Sequence, residues 1–198
     1  MARTQAPDYE QRREFIIEKA AKLFSTHSFH GTSISDLAEA CKMSKSLIYH
    51  YYDSKEDILF AVMESHIDQL SVVANEIAQS SAPPNSRLLA LIHSFMRLYA
   101  GAADRQKVLL NEMANLPADK RTEVISGQRR IIAMVEDLLA SLQPALKEAP
   151  ERRRVAAMLF FGMINWTHIW FNPEGSLTAD DLAEMSGKLL LDGLKGLS

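Results

Sequence analysis

Apolar residues along this chain recur three and four positions apart and almost never alternate with polar ones, so packed helices, not sheets, must build the fold. Residues 9–26 read as a first helix, with Phe15, Ile16, Ala20, Leu23 and Phe24 on one side. His30 and Gly31 break it. Ser33 to Cys41 gives a short second helix, Lys42-Met43 a tight connection, and Ser44 to Tyr52 a third helix. A long fourth helix follows to about Ser80, with Ile58, Leu59, Val62, Ile67, Leu70, Val73 and Ile77 in register. Ser33 with Asp36, and Ser54 with Asp57, have the spacing of a capping box in which an acid replaces the usual Glu or Gln. The run Ser80-Ser81-Ala82-Pro83-Pro84-Asn85 is a linker. Beyond it, helices are expected near 86–101, 104–115, 117–142, 151–171 and 178–196, punctuated by Pro117, Pro144, Pro150 and Pro173. The reading is an all-α chain: a three-helix head over 9–56 and a helical body over 57–198, with helix 55–80 connecting them.

A chain of 198 residues, 47% of them hydrophobic, buries a real core and is not disordered. The only cysteine, Cys41, allows no disulfide within the chain, which fits a reducing cytoplasm, and reads as a small core residue. The N-terminal MARTQAPDYEQRR has no apolar run of the secretory kind. The greasiest stretch, Val155 to Phe171, is interrupted by Gly162, Asn165, Thr167 and His168, and reads as a buried helix; no membrane partner is expected. No nucleophile elbow, phosphate loop or zinc motif is present, so no enzyme, metal site or cofactor is expected. His27 and His30 lack a carboxylate partner, and His50 has no second ligand at metal spacing.

The third helix divides into two faces. At 100° per residue, Leu47, Ile48 and Tyr51 fall on one side, and Lys45, Ser46, Tyr49 and His50 on the other. Ile34, Leu37, Ala38 and Cys41 of the second helix supply a packing surface, and Ala38 is small enough for close approach. A helix that packs on one face and presents hydrogen-bonding groups on the other is what a DNA groove requires. Ser44, Lys45, Ser46, Tyr49 and His50 are the candidate reading residues. Thr32 and Ser33, at the start of the second helix, and Lys55, at the start of the fourth, are candidate phosphate contacts.

The run from Phe29 to Ala38 (FHGTSISDLA), followed by Met43 to Glu56 (MSKSLIYHYYDSKE), resembles the DNA-binding domain of the TetR family of transcriptional regulators over about residues 10–60. One departure is Lys42, where such motifs usually carry glycine. The resemblance implies a helix-turn-helix regulator that binds a palindromic double-stranded DNA operator as a homodimer. It also implies that the last two helices pair with their copies in a four-helix bundle. Ile169, Leu182, Met185, Leu189 and Leu190 are the expected interface residues, with Ser186, Gly187 and Gly193 allowing close approach.

A narrower resemblance lies in the run from Leu159 to Trp166, with Trp170 to Gly175 and Leu177 to Leu182, which is similar to an acyl-CoA-responsive subgroup of that family. It implies a small-molecule effector, an acyl-CoA thioester, whose acyl part needs an apolar slot and whose phosphates need cations. Phe95, Met96, Tyr99, Met113, Phe161, Asn165, Trp166 and Trp170 are candidates for the slot. Arg121, with Arg97, Arg129, Arg130 and Arg152 to Arg154, is a candidate cation. The alternatives are a sensor of lipophilic cations, with Glu112 or Glu136 in the pocket, and an architectural DNA binder with no effector.

Overall fold

The structure, a computed structural model, describes residues 7–172 and 174–197. Among these, every regular element is a helix: α1 (Pro7–His27), α2 (Ile34–Cys41), α3 (Lys45–Tyr51), α4 (Lys55–Gln79), α5 (Pro84–Gly101), α6 (Ala103–Asn111), α7 (Ala118–Leu142), α8 (Pro150–Asn165), α9 (Thr167–Trp170) and α10 (Ala179–Lys195). Single turns of 3-10 helix occupy Met113–Asn115 and Pro144–Leu146. The expected all-α class is observed. Pro173, expected as a helix break, lies outside the described residues.

The expected capping box at Ser33 forms, and Ser54 caps α4 through its hydroxyl. Ser33 Oγ accepts from the Asp36 N–H at 3.2 Å, while the Asp36 carboxylate accepts from the Ser33 N–H at 2.8 Å. Ser54 Oγ accepts from the Asp57 N–H at 3.0 Å at the head of α4. Helix α5 starts at Pro84, before the expected 86, because proline is tolerated in a first turn where its missing N–H has no partner to lose.

The chain forms two compact units, and the division differs from the expected boundary at 56/57. The first unit is Met1–His66 with Asp104–Val124; the second is Ile67–Ala103 with Ile125–Ser198. The first twelve residues of α4 belong to the first unit because Ile58, Leu59, Val62 and Met63 are fully buried. Residues 104–124 join it through ties no local pattern announces. Ser25 Oγ donates to Asp104 at 2.5 Å, Arg105 pairs with Glu14 and donates to Ser65 Oγ at 3.0 Å, and Lys120 pairs with Asp57. The wholly buried His66 meets Gln106 Oε1 through Nε2 at 2.7 Å, and burial holds its pKa below the ordinary histidine value, so the ring is neutral.

In the second unit, the core includes Leu88, Ile92, Phe95, Val135, Leu139, Phe160, Ile164 and Ala183, all fully buried. At about 25 cal/mol per Å² of apolar surface, each of these side chains larger than Ala183 contributes roughly 1.5–3 kcal/mol. Helix α10 lies against α5, and a Cβ at Gly187 would come within 2.3 Å of Leu89 Cδ2. Gly187 and the buried Ser186 therefore serve packing inside the chain, contrary to the expectation that they admit a partner.

Two expected helices are interrupted. The 104–115 helix ends at Asn111 and tightens into the 3-10 turn. The 151–171 helix breaks at Trp166: Thr167 Oγ1 donates to the Ile164 carbonyl at 2.6 Å and His168 Nδ1 to the Asn165 carbonyl at 2.6 Å, side-chain bonds that compete with the backbone ladder. Nor is this segment buried all round. Val155, Met158, Leu159, Trp166, Ile169 and Trp170 are all about half exposed or more.

Candidate nucleic-acid interface and effector core

Helix α3 is only seven residues long, too short to persist alone, and is held from outside. Ser44 caps it, accepting the Leu47 N–H at 3.1 Å. Ile48 is fully buried, and Tyr52, just past the helix, is buried beneath the Arg13 guanidinium, 5.1 Å from the ring centroid. With Ile48 as keel, Ser44, Lys45, Ser46, Tyr49 and His50 are all exposed, Tyr49 at 48%. These five candidates form one hydrogen-bonding surface.

The turn into α3 carries the departure noted at Lys42. Its φ of 54° and ψ of 42° are left-handed, with the Lys42 N–H donating to the Glu39 carbonyl at 3.0 Å and the Met43 N–H to that of Ala38 at 2.9 Å. A lysine there costs on the order of 1 kcal/mol relative to glycine, and the paired end-cap bonds hold it. Cys41, just before, is buried, which pushes its thiol up to about 11 and leaves it unreactive.

The expected phosphate contacts need correction. Thr32 is buried; its hydroxyl donates to the Ser28 carbonyl at 2.9 Å and its N–H to that of Phe29 at 3.3 Å, so neither faces outward. Ser33 is exposed, but its N–H is taken by Asp36, whose carboxyl that bond holds below its usual range. Lys55 is half-buried. Its ammonium donates to the Phe29 and Thr32 carbonyls, 2.9 Å each, and lies 4.1 Å from the centre of the Phe29 ring. It fastens the 29–32 turn, which carries α2, to the start of α4.

Lys55→Met keeps the stem and deletes the donor. It should lower unfolding free energy on the order of 1–2 kcal/mol, the worth of charged hydrogen bonds to carbonyls left unpaired. Thermal unfolding should show this as a lower midpoint, with the salt dependence of DNA binding unchanged. An unchanged midpoint with a salt slope flatter by about one counterion per half-site would restore the phosphate role.

In the second unit, three slot candidates come together. Phe95 is fully buried, with Tyr99 6.0 Å and Phe161 6.5 Å away between ring centroids. Met96 is buried next to Thr167, whose hydroxyl approaches its sulfur at 4.0 Å. Burial pushes the Tyr99 phenol up, so it is un-ionised. Phe161 and Asn165 are half-buried, while Trp166 and Trp170 are exposed at 62% and 55% and do not join that buried group. Met113 and Arg121, both half-buried, belong to the other unit. Of the other arginines, Arg97 is spent on Asp180 through two 3.0 Å bonds, and Arg154 pairs with Glu136 at 3.0 Å. Arg129 and Arg130 are exposed on α7.

Of the expected interface residues, Ile169, Met185 and Leu189 are exposed at 59%, 54% and 67%. Leu182 is buried inside the chain and is not free for a partner in the way expected, while Leu190 is half-buried. Val155, Met158 and Leu159, none of them among the expected interface residues, extend the exposed strip along α8. Among the described residues, no helix is long and apolar enough to cross a membrane.

Residues 16–62 match the family described as bacterial regulatory proteins, tetR family, and residues 81–194 match the tetracyclin repressor-like, C-terminal domain. Among solved structures, a TetR-family transcriptional regulator from Bordetella parapertussis 12822 is 41% identical, with a TM-score of 0.87 over 94% of this chain and 97% of its own. AibR, solved in complex with isovaleryl coenzyme A and operator DNA, is 30% identical, with a TM-score of 0.80 over 91% of this chain and 98% of its own. The transcriptional repressor KstR2 of Rhodococcus jostii RHA1 is 25% identical over 187 residues, 92% of this chain and 91% of its own.

Proposed function

The chain belongs to the TetR family of bacterial regulatory proteins and is a DNA-binding transcription regulator, not an enzyme; from that premise we propose that it is a homodimeric repressor released from a palindromic operator by an acyl-CoA thioester. The observation that carries the DNA-binding part is the exposed row Ser44, Lys45, Ser46, Tyr49 and His50 on a helix fixed by buried Ile48. Two copies of so short a reading helix, one per half-site, supply the specificity that one lacks.

The effector assignment is supported by the likeness to AibR, which binds isovaleryl coenzyme A, and by the aromatic group Phe95, Tyr99 and Phe161. Apolar rings take the acyl chain, and exposed arginines such as Arg129 and Arg130 take phosphate. Pairing of Glu136 with Arg154 removes one acid that a cation sensor would use. The effector works by population shift, favouring a state that cannot engage both half-sites; helix α4, continuous from Lys55 to Gln79 and shared by both units, is the covalent route of coupling.

The test is fluorescence anisotropy of the operator complex titrated with isovaleryl coenzyme A, isovalerate and free coenzyme A. The thioester should weaken operator affinity by about 5- to 150-fold, the span of ordinary coupling free energies, and the acid should not. Release by the acid alone, or by a lipophilic cation with thioesters inert, sinks the acyl-CoA assignment and leaves the repressor reading standing.

A further inference from the structure

The exposed His50 has no hydrogen-bond partner among the described residues, yet its ring is oriented. Tyr9, in the first turn of α1, meets it edge to face, 6.4 Å between centroids with planes at 86°. Tyr51 meets it at 5.3 Å and 80°, and the two tyrosines contact each other at 4.9 Å and 39°. Tyr9 and Tyr51 are both half-buried. These are geometries that the ring quadrupoles favour. The two tyrosines hold the exposed ring by stacking, and among the described residues no hydrogen bond takes either of its nitrogens.

The clamp closes on the end of α3 that needs it most. His50 is the next-to-last residue of a seven-residue helix, where the backbone bonds that would steady a side chain are running out. Ser44 caps the opposite end, and Ile48 fixes the middle. Without Tyr9, an exposed imidazole there would sample several rotamers, and each good contact to a base edge would have to order it first.

We propose that Tyr9 is a positioning residue for sequence readout, presetting the His50 ring so that its nitrogens meet one base pair of each half-site. This rests on the reading that α3 enters the DNA groove. Tyr9 touches no base itself and acts through His50. Tyr9 meets His50 and Tyr51 ring to ring, so phenylalanine should serve in its place.

The experiment compares wild type, Tyr9→Ala, Tyr9→Phe, His50→Ala and the Tyr9→Ala/His50→Ala double variant. Each binds an operator selected with the wild-type protein and a panel with one base pair replaced in each half-site. The readout is the affinity ratio between operator and variant sites, which general loosening of the head would not change selectively. Tyr9→Ala should reduce discrimination roughly three- to tenfold at one position, the one where His50→Ala does the same. The double variant should lose no more than His50→Ala alone, and Tyr9→Phe should match wild type. Uniform loss of affinity across the panel, or additive losses in the double variant, overturns the proposal. If His50→Ala and Tyr49→Ala both leave discrimination intact, the docking of α3 itself is wrong; if they act and Tyr9→Ala is silent, only the clamp fails.

Discussion

Tyr49→Ala should abolish most of the operator preference of this protein while leaving its fold untouched. Tyr49 is 48% exposed in the middle of the reading surface, one residue after the fully buried Ile48. A direct contact to a base edge is worth about 1–3 kcal/mol, and a two-fold dimer makes it twice, so operator affinity should fall roughly 30-fold or more at constant salt. Binding to unrelated duplex, held by phosphate contacts, should fall far less. The unfolding midpoint should scarcely move, because surface substitutions usually change stability by less than about 0.5 kcal/mol. Ile48→Ala is the opposite case: it empties a buried site, should cost about 2–5 kcal/mol, and should lose all DNA binding through the fold. Equal operator binding by Tyr49→Ala and wild type refutes the assigned face of α3. Parallel loss on operator and unrelated DNA would make Tyr49 a backbone contact.

What the sequence disclosed and what it hid divide by distance along the chain. Helix existence and the Ser33 and Ser54 caps were legible because both depend on residues within one or two turns. So was the two-faced character of α3, since a helical wheel needs no tertiary information. Lys55 was misread because its partners, the Phe29 and Thr32 carbonyls, lie 26 and 23 residues upstream. A lysine at a helix start looks the same whether it meets phosphate or a loop. The attachment of 104–124 to the head was hidden for the same reason, its bonds reaching back to Glu14, Ser25, Asp57, Ser65 and His66. The break at Trp166 did leave a local signal, Thr167 and His168 in succession after Asn165, which apolar periodicity overrode. Leu182 and Leu189 are the same residue type on the same helix, and only the packing of α10 on α5 separates the buried one from the exposed one.

That separation leads to the second large effect. Val155, Met158 and Leu159 on α8, and Met185 and Leu189 on α10, are 48–67% exposed, and these two helices touch. Soluble monomers rarely leave so large an apolar face in water, and a patch of this kind marks an interface. At Gly162 and Gly193 an added Cβ would meet nothing within 4 Å among the described residues, which leaves room on the same helices for another helix to come close. A two-fold pairing applies every substitution twice, so Leu159→Glu with Leu189→Glu would place four carboxylates in a drying interface, each costing several kcal/mol without a partner. The double variant should sediment as a monomer at micromolar concentration while wild type sediments as a dimer. Its helical signal should persist, because both side chains are 67% exposed in the isolated chain. Operator affinity should fall by about 10²-fold or more, since binding of the second head is no longer intramolecular. Leu182→Glu, by contrast, buries a charge inside the chain and should unfold it, which distinguishes a lost interface from a lost core. A wild-type protein that is monomeric at this concentration, or a double variant that still dimerises and binds operator normally, would remove α8 and α10 as the dimer interface.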